Sequence, residues 1–433
     1  MSARRVDLAY GRTGMTVSVP EGWDPVVLRS RERRPLPLPR EAILRALRNP
    51  IGSLPLATIA TEADPGAGAG IIFNDVTRAT PNELIVGAVV DELVQAGIAE
   101  ERITLYNATG THRANTAEEL DRMLGTRLAR GFRIVQNDCE APDAHTLVGT
   151  TGAGNEVRIL APYLREDIRV ATGFVEPHFF AGYSGGGKAV VPGLAHLSTI
   201  LHNHGPHHMD HPQATWGRTV GNPLWEDLAE AASFADPLFL VNVTMNRRKE
   251  VTGVFAGERV AAHREGCRQA AHDAVVTVDR EFDVVVTSNS GYPLDLNLYQ
   301  TVKGMSAAAR IVREGGRIIV AAECWDGLPA HGLFARLVRE AESAEALLDR
   351  LRGDDLRVRD AWQAHIFALV RRKAQITLVS GSIPASEVPR ALCDSAGSVE
   401  EALEAAACDR PAGIPSVCFL PDGPLTIPVI VPR

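Results

Sequence analysis

The residues best suited to chemistry crowd into one stretch, 175–208, which reads VEPHFFAGYSGGGKAVVPGLAHLSTILHNHGPHH. Together with His211 it supplies His178, His196, His202, His204, His207 and His208, seven of the chain's 13 histidines. It also holds a Gly/Ser loop that ends in Lys188. Three chemistries compete for it. A phosphate-binding P-loop is matched by Gly182 and Gly187-Lys188, but Ala189 stands where Mg²⁺ binding needs a hydroxyl. Pro192-Gly193 would also break the helix that such a loop must open. A zinc site is poorly served, because His202 and His204 do not share a helix face and H-E-x-x-H is absent. A single imidazole could still complete a metal that another group holds, and imidazole suits Ni, Cu, Zn and Fe. The third reading is a glycine loop that lets Lys188 reach and covalently hold a carbonyl-type cofactor. Its plainer counterpart is a glycine loop with a surface lysine.

Other polar groups recur where strands should end. FNDVTRAT places Asp75 and Arg78 just after an apolar run, at the strand end where open α/β sheets bind ligands. ATGTHRANTAEEL places His112 and Arg113 after the next run, ahead of a helix capped at Asn115 or Thr116. SNSGYPLDLNLYQTVKGMSAA leads from a strand through a Gly/Pro turn into a helix with Tyr299, Gln300 and Lys303, the last two sharing a face at i, i+3. Each is common singly. Jointly they point to one cleft.

The elements that must position these groups follow from periodicity. Apolar runs at 54–60, 70–75, 103–108, 134–137, 169–175, 238–243, 284–288, 317–321 and 376–380 read as strands. Helical patterns lie between them, among them PNELIVGAVVDELVQAG, TAEELDRMLG, ERVAAHREGCRQAAHDA and DAWQAHIFALVRRK. Near-continuous apolar strands alternating with amphipathic helices predict an α/β protein with mostly parallel sheets flanked by helices. Two domains are expected for 433 residues, 1–275 and 280–400, with 405–433 returning to complete the first and the active site in the cleft between them. A net charge of −8 disfavours a general nucleic-acid binder. No apolar stretch is long enough to span a membrane, and no signal peptide is evident. Six cysteines without a C-x-x-C pair suggest reduced thiols in a cytoplasmic protein.

Six motifs, D-x-T-R, G-x-H-R, E-P-H-x-F-A-G-[FY]-S-G-G-x-K, N-H, Y-Q-x-x-K and D-x-W, occur in that order along nearly the whole chain. In this the sequence resembles the lactate racemase family of nickel-pincer-nucleotide enzymes. The resemblance implies a 2-hydroxy acid racemase or epimerase whose nickel-pincer nucleotide is tethered to Lys188, with His204 as nickel ligand. It implies cofactor contacts from Asp75, Val76, Thr77 and Arg78, and an acid/base pair of His112 and His178. Tyr299, Gln300, Lys303 and Trp362 would lie on the substrate side with Arg78. Enzymes that build the cofactor would be partners, along with a small 2-hydroxy acid. Two departures bear on pocket shape: Asn74 precedes the first motif, and Tyr183 stands in the glycine loop. His202, His207, His208 and His211 have no family role to inherit.

The residue types suit that chemistry. A 2-hydroxy acid's α-C–H is weakly acidic and hard to deprotonate; the resemblance implies instead that hydride passes to the cofactor while a histidine takes the hydroxyl proton. One base per enantiomer is then needed, and histidine titrates near working pH. The substrate carboxylate needs local cations, from Arg78, Lys303 or Arg113, because the chain as a whole is acidic. Malate, longer 2-hydroxy acids and sugar acids remain alternatives to lactate, and a P-loop-like nucleotide binder is the distant one. His112 as a turn residue and Trp362 as ordinary core are the plainer readings of those two.

Overall fold

A computed structural model describes residues 4–328, 332–353, 358–408 and 413–431. Two six-stranded sheets organise it. The first orders its strands as Val251–Glu258, Phe239–Met245, Ile168–Phe174, Ala69–Asn74, Ile103–Ala108 and Arg133–Gln136. All its pairings are parallel except that of the edge strand Val251–Glu258. The second is wholly parallel, in the order Asp394–Ser395, Gln375–Val379, Val312–Ala321, Phe282–Ser288, Val417–Leu420 and Val26–Val27. The inner strands are buried on both faces, as in Ala69–Asn74 and Val417–Leu420. Helices such as Asn82–Gln95, Arg259–Ala274 and Ala361–Lys373 cover them, so the α/β expectation holds.

Two expectations differ from the structure. The apolar run 54–60 is not a strand: Leu56–Glu62 is a helix that follows Pro55 and buries Leu56 and Ala60, one turn apart on one face. The C-terminal run 405–433, expected to complete the first domain, sends its strands elsewhere. Val417–Leu420 is inserted between Phe282–Ser288 and Val26–Val27 of the second sheet, which buries all four of its side chains. Ile427–Ile430 pairs with Val275–Val278 in a separate two-stranded ribbon. Residues 409–412 and 432–433 of that tail lie outside the described residues. The exchange also runs the other way. The N-terminal hairpin Arg5–Leu8/Met15–Ser18 packs Val6, Leu8 and Val17 against Val284, Val286 and Phe419 of the second sheet. Among the described residues, no helix is long and apolar enough to cross a membrane.

Candidate active site between the two sheets

Strand ends from both sheets open on one cavity of about 160 Å³. From the first sheet, Ala69–Asn74 gives way to a turn in which the Arg78 N–H donates to the Asp75 carbonyl at 3.1 Å. Ile103–Ala108 gives way to a turn closed by the His112 N–H on the Thr109 carbonyl at 2.9 Å. Helix Ala117–Gly131 then starts from a capping box between Thr116 and Glu119. From the second sheet, Phe282–Ser288 leads through a loop to helix Leu298–Ala308, capped by Asn297. Asp75, Arg78, His112, His178, Lys188, His204, Tyr299, Gln300, Lys303 and Trp362 all line the cavity. Val76 and Thr77 do not. Thr77 instead donates its hydroxyl to Asp75 Oδ1 at 2.9 Å. Arg113 is also diverted, because Glu119 takes both of its terminal nitrogens, at 2.6 and 2.8 Å.

Of the three histidines that line the cavity, His112 and His178 hold their ring protons on opposite nitrogens. Asp75, only 2% exposed, places Oδ2 at 2.8 Å from His112 Nδ1, which fixes the proton on Nδ1 and leaves Nε2 with a lone pair. Burial would raise the Asp75 carboxyl, but His112, Arg78 and the Thr77 hydroxyl together hold it below its ordinary value. His178 is set the other way. Its Nδ1 accepts the Ala181 N–H at 3.3 Å, so the neutral ring carries its proton on Nε2. These proton positions follow from the hydrogen-bond partners. Burial, joined by the charges of Lys188, Lys303, Arg78 and His204, pushes His178 well below its usual pKa and keeps it neutral.

Lys188 sits on a single turn of 3₁₀ helix, Gly186–Ala189, not at the head of a long helix as a P-loop requires. The loop before it is pinned from below. His263 Nε2 donates to the Ser184 carbonyl at 2.9 Å, and the Gly186 N–H donates to Asn242 Oδ1 at 2.8 Å. A Cβ at Gly186, where φ is +58°, would lie 2.8 Å from the His263 ring. One at Gly185 would lie 2.5 Å from Asn242 Oδ1. These glycines are required by the protein beneath the loop, whatever binds above it. Burial first, then Arg78 and Lys303, lowers the Lys188 amine to about 7, and burial and Arg78 lower Lys303 to about 8.

His204 ends the short helix Leu197–Asn203, and its ring packs edge-on to Trp362 and to Phe180. Its Nδ1 is buried without a hydrogen-bond partner among the described residues. Burial and Lys188 depress its pKa to about 3, so the ring is neutral and able to ligate. No three His, Cys, Asp or Glu side chains converge on a metal position among the described residues. A metal at His204 would therefore need its other donors from a bound group. A neutral imidazole, an amine without a salt-bridge partner among the described residues and neighbouring cations would suit an anionic group that carries such a metal. Trp362 Nε1 donates to the Tyr299 hydroxyl at 3.2 Å, which ties two cavity-lining residues together.

Matches to known proteins follow this architecture. The model of the lactate racemase N-terminal domain matches residues 10–217, and that of the lactate racemase C-terminal domain matches 277–431. The chain belongs to the lactate racemase family. Family membership makes it an isomerase. It is 33% identical over 405 residues to a lactate racemase of Thermoanaerobacterium thermosaccharolyticum, covering 93% of this chain and 94% of that one. It is 32% identical over 386 residues to a lactate racemase of Lactiplantibacillus plantarum, covering 89% of each. The solved lactate racemase apoprotein of T. thermosaccharolyticum superposes with a TM-score of 0.91 at 32% identity, over 98% of this chain and all of that one. A Thermotoga maritima protein at 19% identity shares the fold, with a TM-score of 0.69.

Cavity residues that sequence reasoning passed over include Glu176, Trp216, Asn289 and Leu425. Glu176 stood inside the E-P-H motif and is near enough to Lys303 to raise its pKa. Asn289 stood at the start of the SNSGYP turn, and Trp216 and Leu425 had no sequence signal. Trp216 donates to Ser306 Oγ at 3.1 Å from across the cleft, a contact 90 residues apart in the chain.

Proposed function

We propose that the chain racemises a small 2-hydroxy acid, with lactate, for which its relatives are named, as the first candidate. The observation that carries this reading is the convergence of His112, His178, Lys188 and His204 on one cavity lined also by Arg78 and Lys303. A nickel-pincer nucleotide attached through Lys188, with His204 as nickel ligand, fits the residues present. When bound, that group supplies the acceptor and donor of hydride.

The chain's own groups do the rest. Arg78 and Lys303 hold the substrate carboxylate, which needs local positive charge in an otherwise acidic protein. His112 Nε2 accepts the hydroxyl proton of one enantiomer, and Asp75 stabilises the imidazolium so formed. His178 Nε2–H donates to the oxygen when it lies on the other side. The two histidines thus start a turnover as one base and one hydrogen-bond donor, and the proton gained at His112 is the one returned to the product hydroxyl, so both rings end neutral. Trp362, Tyr299 and Gln300 close the substrate side, keeping water from the transient 2-oxo acid.

The test is a chiral assay. Protein produced together with the cofactor-building enzymes is given single enantiomers of lactate, malate, longer aliphatic and aromatic 2-hydroxy acids, and sugar acids. Loss of optical purity in one of them, abolished by His112→Ala and by His178→Ala, is the expected result. Retained optical purity throughout, in protein shown by mass to carry the group on Lys188, overturns the proposal. The identity of the racemised acid decides among the alternatives.

A further inference from the structure

The chain is rich in arginine, and its only lysines are Lys188, Lys249, Lys303 and Lys373. Two of them, Lys188 and Lys303, line the same cavity. The other two lie elsewhere: Lys249 is half-buried in the turn closed by its N–H on the Asn246 carbonyl, and Lys373 pairs with Glu281 and caps the Ala309 carbonyl. Neither cavity lysine has a hydrogen-bond or salt-bridge partner described. Each lines the cavity with Arg78 as a neighbouring cation. Desolvation and adjacent positive charge both favour the neutral form, which is the nucleophilic one. Arg78 and Lys303 meanwhile remain to bind a carboxylate, and His178 lies beside them with an N–H to offer.

We propose that the chain without its cofactor has a second reactivity: Lys188 captures 2-oxo acids as a reversible imine. The Lys188 nitrogen lone pair attacks the C2 carbonyl, and the carbonyl π pair moves to oxygen. One proton passes from nitrogen to that oxygen, giving a carbinolamine. The C–O bond then breaks, with the hydroxyl taking a proton and leaving as water. The nitrogen lone pair forms the C=N bond, and loss of the remaining N–H proton gives the neutral imine. The balance is amine plus 2-oxo acid to imine plus water, with no oxidant or reductant. Arg78 and Lys303 set the carboxylate so that the adjacent carbonyl carbon meets Lys188. His178 donates to the carbonyl oxygen and polarises it. The lysine reserved for the cofactor is therefore open to the oxidised form of the enzyme's own substrate class, and 2-oxo acids compete with loading.

The test uses the full-length chain produced without the cofactor-building enzymes. It is incubated with pyruvate or 2-oxobutyrate, reduced with borohydride and examined by intact mass and peptide mapping. The expected result is one reduced adduct per chain on Lys188. It should be absent from Lys188→Arg and at least about tenfold weaker in Arg78→Met, the loss of one charge-assisted hydrogen bond. L-lactate should protect against it. Circular dichroism and the unfolding midpoint confirm that each variant is folded. No adduct in the folded wild-type protein overturns the proposal. So does labelling spread over Lys249 and Lys373, or confined to Lys303. The racemase reading does not depend on the outcome, because it is tested on loaded protein by optical purity.

Discussion

Replacing Asp75 by Asn keeps the shape of the His112 contact and removes only its charge. Asp75 is 2% exposed, holds His112 Nδ1 at 2.8 Å and accepts the Thr77 hydroxyl at 2.9 and 3.2 Å from its two oxygens. If the new amide turns its oxygen to His112, Nδ1–H keeps an acceptor, and the Thr77 hydroxyl can rotate to accept from the amide NH₂. What is lost is the difference between a charge-assisted and a neutral hydrogen bond, about 1–2 kcal/mol. At 1.4 kcal/mol per decade this is about 5–30-fold in kcat/KM. If instead the NH₂ faces Nδ1, the proton moves to Nε2 and the lone pair facing the cavity disappears. The loss then reaches about 10³–10⁴-fold, as for other catalytic histidines left in the wrong tautomer. Because two enantiomers have equal free energy, kcat/KM must fall by the same factor in both directions. The asymmetry should therefore be sought in one half-reaction. Acid quench of the loaded variant should release 2-oxo acid formed from one enantiomer and much less from the other. A variant whose kcat/KM stays within about twofold of wild type, with equal half-reactions, would refute the role given to the Asp75–His112 pair.

Further expectations follow from the same geometry. Gly186→Ala forces a left-handed φ of +58° on a residue with a Cβ and drives that Cβ to 2.8 Å from His263. Strain and overpacking together should cost about 2–5 kcal/mol, read from denaturant unfolding, and a loss below about 1 kcal/mol would show that the loop is not pinned as described. Glu119 is lowered from 4.5 to about 2, chiefly by its hydrogen bond to Arg113. Its stabilisation is therefore complete above pH 4.5 and is lost as the pH falls from there towards 2. Glu119→Gln should cost about 1–2 kcal/mol at neutral pH, since Arg113 is largely solvated, and the deficit should vanish on acidification. A deficit independent of pH would sink that account. Asp210→Ala removes the carboxylate shared by Arg352, at 2.8 and 3.0 Å, and by the buried His365, at 2.9 Å. About 1–2 kcal/mol of stability should go with it, and an unchanged unfolding midpoint would show that solvent screens the cluster.

The parts of this molecule legible in its sequence are those decided locally. Strand, turn and helix succeed one another over short stretches of chain, so Asp75 and His112 could be placed at strand ends, and Lys303 on the helix after one, before any contact was known. The pairing of Val26–Val27 with Val417–Leu420 could not. A two-residue strand carries no periodicity, and its position depends on which strand edge the rest of the fold leaves open. The same division runs through the lysine loop. Its glycines are plain in the sequence, yet the groups that make them necessary, Asn242 and His263, stand 56 and 79 residues from their partners. A Gly-rich loop reads as freedom. Here it marks tight packing beneath the site.

Histidine chemistry shows why residue types alone fall short of a mechanism. Two imidazoles in the right motifs suggest two equivalent bases. Which nitrogen of each ring faces the cavity with a proton is set elsewhere, by a buried carboxylate for His112 and by the Ala181 backbone amide for His178. A side-chain carboxylate can be deleted by one substitution, whereas a backbone N–H persists through every substitution except proline. His112 polarity is thus open to change by mutation at Asp75, and His178 polarity is protected as long as the turn Pro177–Ala181 keeps its form. The prediction is directional: substitutions around Asp75 should convert the chain towards a one-sided oxidant of a single enantiomer. Conservative substitutions at the side chain of Ala181, such as Ala181→Ser, should leave the half-reaction at His178 intact. Loss of that half-reaction in a folded Ala181→Ser protein would mean that the backbone amide does not govern the tautomer.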